Sequence, residues 1–182
     1  MEKLIARHCA PALAGIKSAN LVAIDKKKYP EGREEICRLD EKLSKKGIRL
    51  EIVAEGKKRL LVLVYRPKVL LRQLGVSGVR ELLLGAGYPE GADLGETIDY
   101  LKMRLGEEDF PHEIGAFLGY PVEDIYGFIH HKDEGVLLVG EWKVYSDAGA
   151  ASRLFARFSS CREGLARRLS RGASLAEIFG AQ

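Results

Sequence analysis

Three short segments in the first third of the chain are rich in apolar residues and are separated by turn residues. Residues 20–25 and 48–54 have the length and composition of β-strands, and residues 59–65 form a third, joined to the second by a four-residue turn. The third segment is apolar on both faces, which is typical of a strand inside a sheet. We therefore predict a small sheet with residues 59–65 at its centre.

Apolar residues recur at helical spacing between the predicted strands and after them. Residues 33–46 carry Ile36, Leu39 and Leu43 at positions i, i+3 and i+7, and Gly47 ends this helix. Three more helices are predicted over residues 67–74, 76–86 and 92–105. These helices would cover the sheet.

The last third of the chain predicts one strand and one long helix. Residues 136–145 form the strand, although its alternation is imperfect. Asp147 can cap a helix that extends to about Arg171. Apolar side chains repeat along this helix with strong periodicity: Leu154, Phe158, Cys161, Leu165 and Leu169. The whole pattern predicts a single globular domain over residues 1–182 with an α+β (or α/β) fold. We expect a roughly four-stranded mixed sheet covered by helices, with a helix-rich C-terminal half.

An unusual mixture of proline, glycine and apolar residues occupies residues 109–129. Pro111 and Pro121 suit the first positions of two successive helices, and Glu113 suits the first turn of the earlier one. The side of that helix opposite its apolar face carries small residues with a histidine at the edge: His112, Gly115, Ala116 and Gly119. Such a face suits the close approach of a helix, a backbone or a flat ligand. Helix packing and ligand binding are both open interpretations.

A reactive thiol is the second candidate for chemistry. If Pro11 begins a short helix, Cys9 lies at its N-terminal end, where exposed backbone amides stabilise a thiolate. His8 or Lys17 would strengthen that effect. A reachable thiolate suits nucleophilic or redox chemistry. The alternative is a buried cysteine that packs as a small apolar residue, which is the commoner fate of a free thiol.

The predicted C-terminal helix also carries a stripe of arginines beside its apolar face: Arg153, Arg157, Arg167, Arg168 and Arg171. Guanidinium groups in this arrangement can bind phosphate or an acidic partner, so a nucleic-acid or acidic-protein adaptor is an alternative function. A solvated helix face is the other interpretation. Because no aromatic residues interleave with the stripe, the pattern gives little support to single-stranded nucleic acid.

Composition limits the remaining possibilities. A formal net charge of +3 neither demands nor excludes nucleic acid as a binding partner.

The apolar runs are too short to span a bilayer, and the first residues lack the apolar core of a secretory signal, so we predict a cytoplasmic protein without membrane contact. Cys9, Cys37 and Cys161 are too widely spaced to predict a metal site or a disulfide framework, and we expect the last two in the core.

Three segments of the sequence are similar to those of a known protein family. Residues 8–21 contain His-Cys-Ala-Pro followed by Leu-Ala-Gly, residues 110–129 contain Phe-Pro-His-Glu-Ile-Gly and Gly-Tyr-Pro, and residues 142–145 are Trp-Lys-Val-Tyr. Together they resemble a bacterial family catalogued as domain of unknown function 3793, found mostly in anaerobes. The resemblance extends over nearly the full length. It implies no particular activity or cofactor, but it indicates where a site is to be sought.

Our leading hypothesis is a small-ligand or cofactor-binding site that joins the Cys9 turn to the His112 helix. Cys9 would act as nucleophile, thiolate ligand or redox thiol, His112 as base or second ligand, and Glu113 would orient His112. Both segments place reactive groups near predicted helix N-termini, which together would attract an anion. Further contacts with the ligand are assigned to His8, Lys17, Gly115, Gly119 and Trp142, with Lys17 contacting an anion.

A third possible function is that of a structural protein. The small-residue face of residues 112–119 would then form the seam of a homo-oligomer. Glycine and alanine allow two backbones to approach closely, which suits such a seam as well as it suits a ligand. The sequence predicts neither a particular cofactor nor a particular oligomeric state.

Overall fold

An antiparallel sheet lies at the centre of the fold. The computed structural model describes residues 1–180, so the last two residues of the predicted domain lie outside the described part. The sheet consists of β1 (Ala19–Asp25), β2 (Arg49–Glu55) and β3 (Arg59–Tyr65), in the order β1-β3-β2. β3 pairs with both neighbours, which confirms the central position predicted from its two apolar faces.

Helices cover both faces of this sheet. Within the described residues they are α1 (Glu2–Leu13), α2 (Gly32–Ser44), α3 (Pro67–Leu74), α4 (Ser77–Gly85), α5 (Leu94–Leu105), α6 (Ile114–Phe117), α7 (Val122–His131), α8 (Ala148–Ser170) and α9 (Leu175–Ile178). Val62 and Val64 of β3 face a core shared with α1, α2, α8 and α9, whereas Leu63 and Tyr65 face a core shared with α3 to α7. This arrangement confirms the α+β class. None of these helices is long and apolar enough to cross a membrane.

The helical periodicity of the sequence is reproduced closely in α2 to α5 and in α8. The predicted bounds of these helices differ from the observed ones by at most two residues, and α3 matches its predicted range. The side chain of Asp147 accepts a hydrogen bond from the backbone amide of Ala150, so the predicted cap of α8 is present. Phe158 and Leu165 of α8 are buried, as their spacing indicates.

The predicted fourth strand is a separate hairpin. Residues 136–145 form β4 (Leu138–Val139) and β5 (Lys143–Val144), which pair with each other and not with the central sheet. The chain reverses at Gly140, where a Cβ atom would lie only 2.2 Å from the ring of Phe155 on α8. The imperfect alternation in this segment therefore reflects a tight turn packed against a helix. Within residues 1–180 the central sheet has three strands, all antiparallel.

The start of the first helix differs from the prediction. α1 begins at Glu2, and Pro11 lies inside it instead of opening it. Ile5, Cys9 and Leu13 recur at i, i+4 and i+8 and are fully buried, so their packing against the sheet and α8 outweighs the helix-breaking tendency of proline. The predicted placement of Cys9 at a helix N-terminus is therefore wrong.

Candidate functional site

The two segments expected to form a site do pack against each other. The hydroxyl of Ser18, in the turn between α1 and β1, donates a hydrogen bond to the carbonyl of Phe117 on α6 at 2.8 Å. Gly119 has φ +75°, and a Cβ atom there would lie 2.6 Å from the Ser18 hydroxyl. The turn after α1 thus packs directly against the backbone at Gly119.

Packing within the chain also explains why the other small residues of segment 112–119 must be small. A Cβ atom on Gly115 would lie 3.0 Å from both Ile125 and Tyr120, so glycine lets α7 approach α6. Ala116 is fully buried in the core between α6 and the sheet. Gly115 and Ala116 of the face predicted as an oligomer seam are therefore covered by the chain itself, and the homo-oligomer stays a prediction. Pro111 does not open the helix either, because α6 begins only at Ile114 and is a single turn.

Cys9 occupies a position in the hydrophobic core. Its side chain is inaccessible to solvent and contacts the apolar cluster on the α1, α2 and α8 side of the sheet. Burial raises the pKa of this thiol to about 12, and nearby Lys17 offsets only part of that rise. The thiol is therefore protonated at neutral pH. Cys37, which was expected in the core, is exposed because it is rotated away from the buried Ile36 and Leu39 face of α2, and Cys161 is half-buried.

The side chains of His112 and Glu113 lie in different surroundings, one exposed and one buried. His112 is exposed and meets the ring of Phe128 edge-on, with 5.0 Å between the ring centres. Glu113 is buried and accepts a hydrogen bond from the Arg104 guanidinium at 3.0 Å. Glu113 therefore fixes α5 to the α6 segment and does not orient His112. His112 lines an apolar cavity of about 250 Å³ on the side of the sheet opposite Cys9, so the two proposed catalytic residues do not share a core.

A second cavity, which we call the Lys17 cavity, lies beside the first and shares the side chains of Leu21, Leu118 and Tyr120 with it. Its volume is about 380 Å³. Charged and polar groups from six parts of the chain line it: Arg7 and His8 from α1, Lys17 from the following turn, Asn20 from β1, Tyr120 from the α6–α7 turn, Glu141 from the hairpin turn and Arg162 from α8. Two of the sequence-predicted ligand contacts, His8 and Lys17, thus lie in one cavity.

Lys17 is the most unusual group in this cavity. Its side chain is only 5% exposed, and its ammonium nitrogen lies 3.7 Å from Glu141 Oε2, which is longer than a hydrogen bond. The nitrogen also lies 5.4 Å from the ring centres of Tyr120 and Phe158. Burial, followed by the charge of Arg162, lowers the pKa of Lys17 to about 8. The protonated amine is therefore costly in this position.

Arg162 and Glu141 complete the cluster. One guanidinium nitrogen of Arg162 donates to Glu141 Oε1, whereas its Nη1 is buried and has no hydrogen-bond partner among residues 1–180. A single carboxylate therefore faces both Lys17 and Arg162. Lys143, two residues after Glu141, pairs with Asp133 and not with Glu141.

The sequence contained a signal for Arg162 that we did not use. Arg162 lies four residues after Phe158 and three before Leu165, both of which are buried. It therefore belongs to the inner edge of α8, unlike the arginines of the predicted stripe. All five of the latter are exposed: Arg153, Arg157, Arg167, Arg168 and Arg171. Their role in nucleic-acid binding stays a prediction.

Trp142 holds the hairpin turn in place beside the cavity. Its ring stacks on Tyr120 with 4.7 Å between ring centres and meets Phe155 edge-on. Its indole nitrogen donates to the buried carboxylate of Asp124 on α7 at 2.7 Å. Trp142 lines the apolar cavity, and its neighbour Glu141 lines the Lys17 cavity. Its packing therefore fixes where the Glu141 carboxylate lies.

Metal binding has little support from the geometry. Among the described residues, no three His, Cys, Asp or Glu side chains lie close enough together to hold a metal ion. The adjacent His130 and His131 end α7, with their rings 6.4 Å apart. The chemistry available in the Lys17 cavity is instead that of cationic nitrogen donors, which bind anions.

Comparison with known proteins places the chain in a family. Neither the curated proteins nor the solved structures contain a match to it. The model of a family described as protein of unknown function (DUF3793) matches residues 5–179, which include all three segments singled out in the sequence. The chain belongs to the DUF3793 family.

Proposed function

We propose that this chain is a small-ligand-binding domain that holds an anion in the Lys17 cavity. The observation that carries the proposal is the imbalance of charge there. Lys17 and Arg162 face one carboxylate between them, and one buried nitrogen of Arg162 has no partner among residues 1–180. Arg7 adds a further positive charge at the cavity wall.

The cost of burying charge explains why this imbalance points to a ligand. Removing an ion from water costs several kcal/mol unless partners satisfy it. Glu141 compensates part of this cost, but its distance of 3.7 Å from the Lys17 nitrogen leaves the ammonium without a close contact to it. A carboxylate or phosphate group in the cavity would accept hydrogen bonds from Lys17 and from Arg162 Nη1.

The proposal keeps part of the site expected from the sequence. Lys17 retains its predicted role as an anion contact, and His8 remains in the same cavity. Cys9 supplies no thiolate to the site, since it is buried and protonated at neutral pH. His112 belongs to the neighbouring apolar cavity and takes no part in anion binding.

Calorimetric titration with inorganic phosphate, sulfate and acetate tests this function. We expect at least one of these anions to bind the unmodified chain with one-to-one stoichiometry. Replacement of Lys17 by Met should weaken that binding about tenfold or more, because a hydrogen bond to a charged group contributes about 1.5–3 kcal/mol. The matched control is Lys28→Met, which removes an exposed lysine and should leave the affinity unchanged. Failure of all three anions to bind, or equal losses in both variants, contradicts the proposal.

A further inference from the structure

The primary amine of Lys17 lies at the wall of the Lys17 cavity in surroundings that disfavour its protonated form. The side chain is 95% removed from solvent, and Arg162 brings a second positive charge to the same carboxylate, Glu141. A lysine that is desolvated and placed next to another cation is the arrangement that activates an amine as a nucleophile. The cavity also leaves space beside this amine for a small molecule.

We propose that Lys17 forms an imine with a ligand that carries both a carboxylate and an adjacent carbonyl group, that is, a small 2-oxo acid. This inference rests on the proposed function, because the carboxylate would bind Arg162 and so bring the carbonyl carbon to the Lys17 nitrogen. The buried Nη1 of Arg162 supplies the free donor for that carboxylate. Binding and bond formation would then use neighbouring groups in one cavity.

The groups that face Lys17 come from every element packed around it. They are Arg7, His8 and Cys9 from α1, Asn20 from β1, Tyr120 from the α6–α7 turn, Glu141 from the hairpin turn, and Phe158 and Arg162 from α8. Burial and Arg162 lower the pKa of Lys17 to about 8 from its usual value of 10.5. At pH 7 the fraction of neutral amine is therefore on the order of 10² times that of an exposed lysine.

The bond changes balance without an oxidant or a reductant. The neutral amine nitrogen of Lys17 attacks the carbonyl carbon, and the C–O π electrons move to oxygen, giving a carbinolamine after proton transfer. The oxygen then leaves as water, taking with it the two protons that the amine nitrogen gives up, and a C=N bond remains. The Glu141 carboxylate lies 3.7 Å from the nitrogen and would have to close to hydrogen-bond distance in the complex to pass protons between nitrogen and oxygen.

Other lysines of the chain lack these surroundings. Lys143 lines the neighbouring apolar cavity, but its hydrogen bond to Asp133 raises its pKa and so holds the amine protonated. Lys28 is exposed in the loop after β1. These two residues therefore serve as internal references for the reactivity of Lys17 within the same sample.

Reductive trapping tests the inference on the unmodified chain. Glyoxylate, the simplest 2-oxo acid, is incubated with the protein at pH 7 in the presence of sodium cyanoborohydride, which reduces an imine to a stable amine. Peptide mass spectrometry then gives the rate of modification at each lysine. We expect Lys17 to be modified at least about tenfold faster than Lys28, and phosphate to slow the reaction at Lys17 only. Equal rates at the two lysines overturn the inference.

Two controls separate this inference from the proposed function. Lys17→Arg keeps the positive charge but cannot form an imine, so it should still bind phosphate and should show no modification at position 17. Acetaldehyde, an aldehyde that lacks the carboxylate, should modify Lys17 at least about tenfold more slowly than glyoxylate. If phosphate binds the unmodified chain but glyoxylate does not modify Lys17 preferentially, the imine is wrong and the anion site stands. If neither occurs, both are wrong.

Discussion

The indole nitrogen of Trp142 donates a 2.7 Å hydrogen bond to the carboxylate of Asp124, which is 2% exposed. The other oxygen of that carboxylate accepts hydrogen bonds from the backbone amides of Tyr145 and Ser146 and from the Ser146 hydroxyl. Asp124 thus fixes both the hairpin and the start of α8 to α7. Because Glu141 immediately precedes Trp142, this anchor also determines where the Glu141 carboxylate of the Lys17 cavity lies.

We expect Asp124→Ala to destabilise the fold more than any single change in the Lys17 cavity. It removes the acceptor of four hydrogen bonds and leaves buried donors unsatisfied, which should lower the free energy of unfolding by about 3–5 kcal/mol. Trp142→Phe removes one donor, keeps an aromatic ring and should cost about 1–3 kcal/mol. Urea unfolding monitored by circular dichroism measures both values. Equal losses in the two variants would argue against Asp124 as the anchor.

The contact between Gly119 and Ser18 predicts a specific cost for a methyl group. Gly119→Ala introduces a Cβ atom at a positive φ and only 2.6 Å from the Ser18 hydroxyl. Gly47→Ala is the matched control, since Gly47 also has a positive φ of 68° but has no neighbour within 4 Å in the described part of the chain. Strain at positive φ alone should cost about 1 kcal/mol, and the steric clash about 1–3 kcal/mol more. Denaturant unfolding that gives equal values for both variants would contradict this packing.

Cysteine labelling distinguishes a core thiol from a reactive one. Iodoacetamide at pH 7.5 should modify Cys37 readily, since it is exposed, while Cys9 stays unmodified until the chain unfolds. Burial raises the pKa of Cys9 to about 12, so almost no thiolate is present at that pH. Peptide mass spectrometry after timed quenching provides the rates. Labelling of Cys9 as fast as Cys37 in the folded chain would restore Cys9 as a candidate nucleophile.

The lowered pKa of Lys17 predicts how stability changes with pH. The folded chain holds this amine at a pKa of about 8, whereas the unfolded chain holds it at 10.5. Between these values the unfolded state binds more protons, so the contribution of Lys17 to the free energy of unfolding rises with pH. From pH 7 to pH 9 the unmodified chain should gain about 1 kcal/mol relative to Lys17→Met. Urea unfolding at the two pH values tests this, and a constant difference between the two chains would contradict it. Lys28→Met should show the same pH dependence as the unmodified chain.

The sequence predicted elements whose signals are local. β3 is apolar on both faces and α8 repeats Phe158 and Leu165 at helical spacing, so each could be assigned from neighbours along the chain. The proline at position 11 predicts a helix start, whereas the spacing of the buried Ile5 and Cys9 correctly indicates that α1 has begun before it. The hairpin turn was missed because the feature that requires glycine at position 140 is Phe155, a residue of another element.

The candidate site depends on longer-range relationships, and for that reason only part of it was predicted. Lys17 and His8 were named because they lie in an unusual segment, and both line the cavity. Arg162 and Glu141 could not be named as site residues from the sequence, because their roles depend on contacts between α8, the hairpin and the turn after α1. Sequence spacing shows that Arg162 lies on the inner edge of α8, but it does not show which charge it meets there.

The central claim is that Lys17 and Arg162 of the Lys17 cavity, and not the exposed arginines of α8, bind an anion. Calorimetric titration of inorganic phosphate into Arg162→Gln and Arg157→Gln compares two arginines of the same helix, one in the cavity and one exposed. We predict that Arg162→Gln weakens binding about tenfold or more and that Arg157→Gln leaves it within about twofold of the unmodified chain. A loss in Arg157→Gln equal to or greater than that in Arg162→Gln would contradict the claim and favour the arginine stripe.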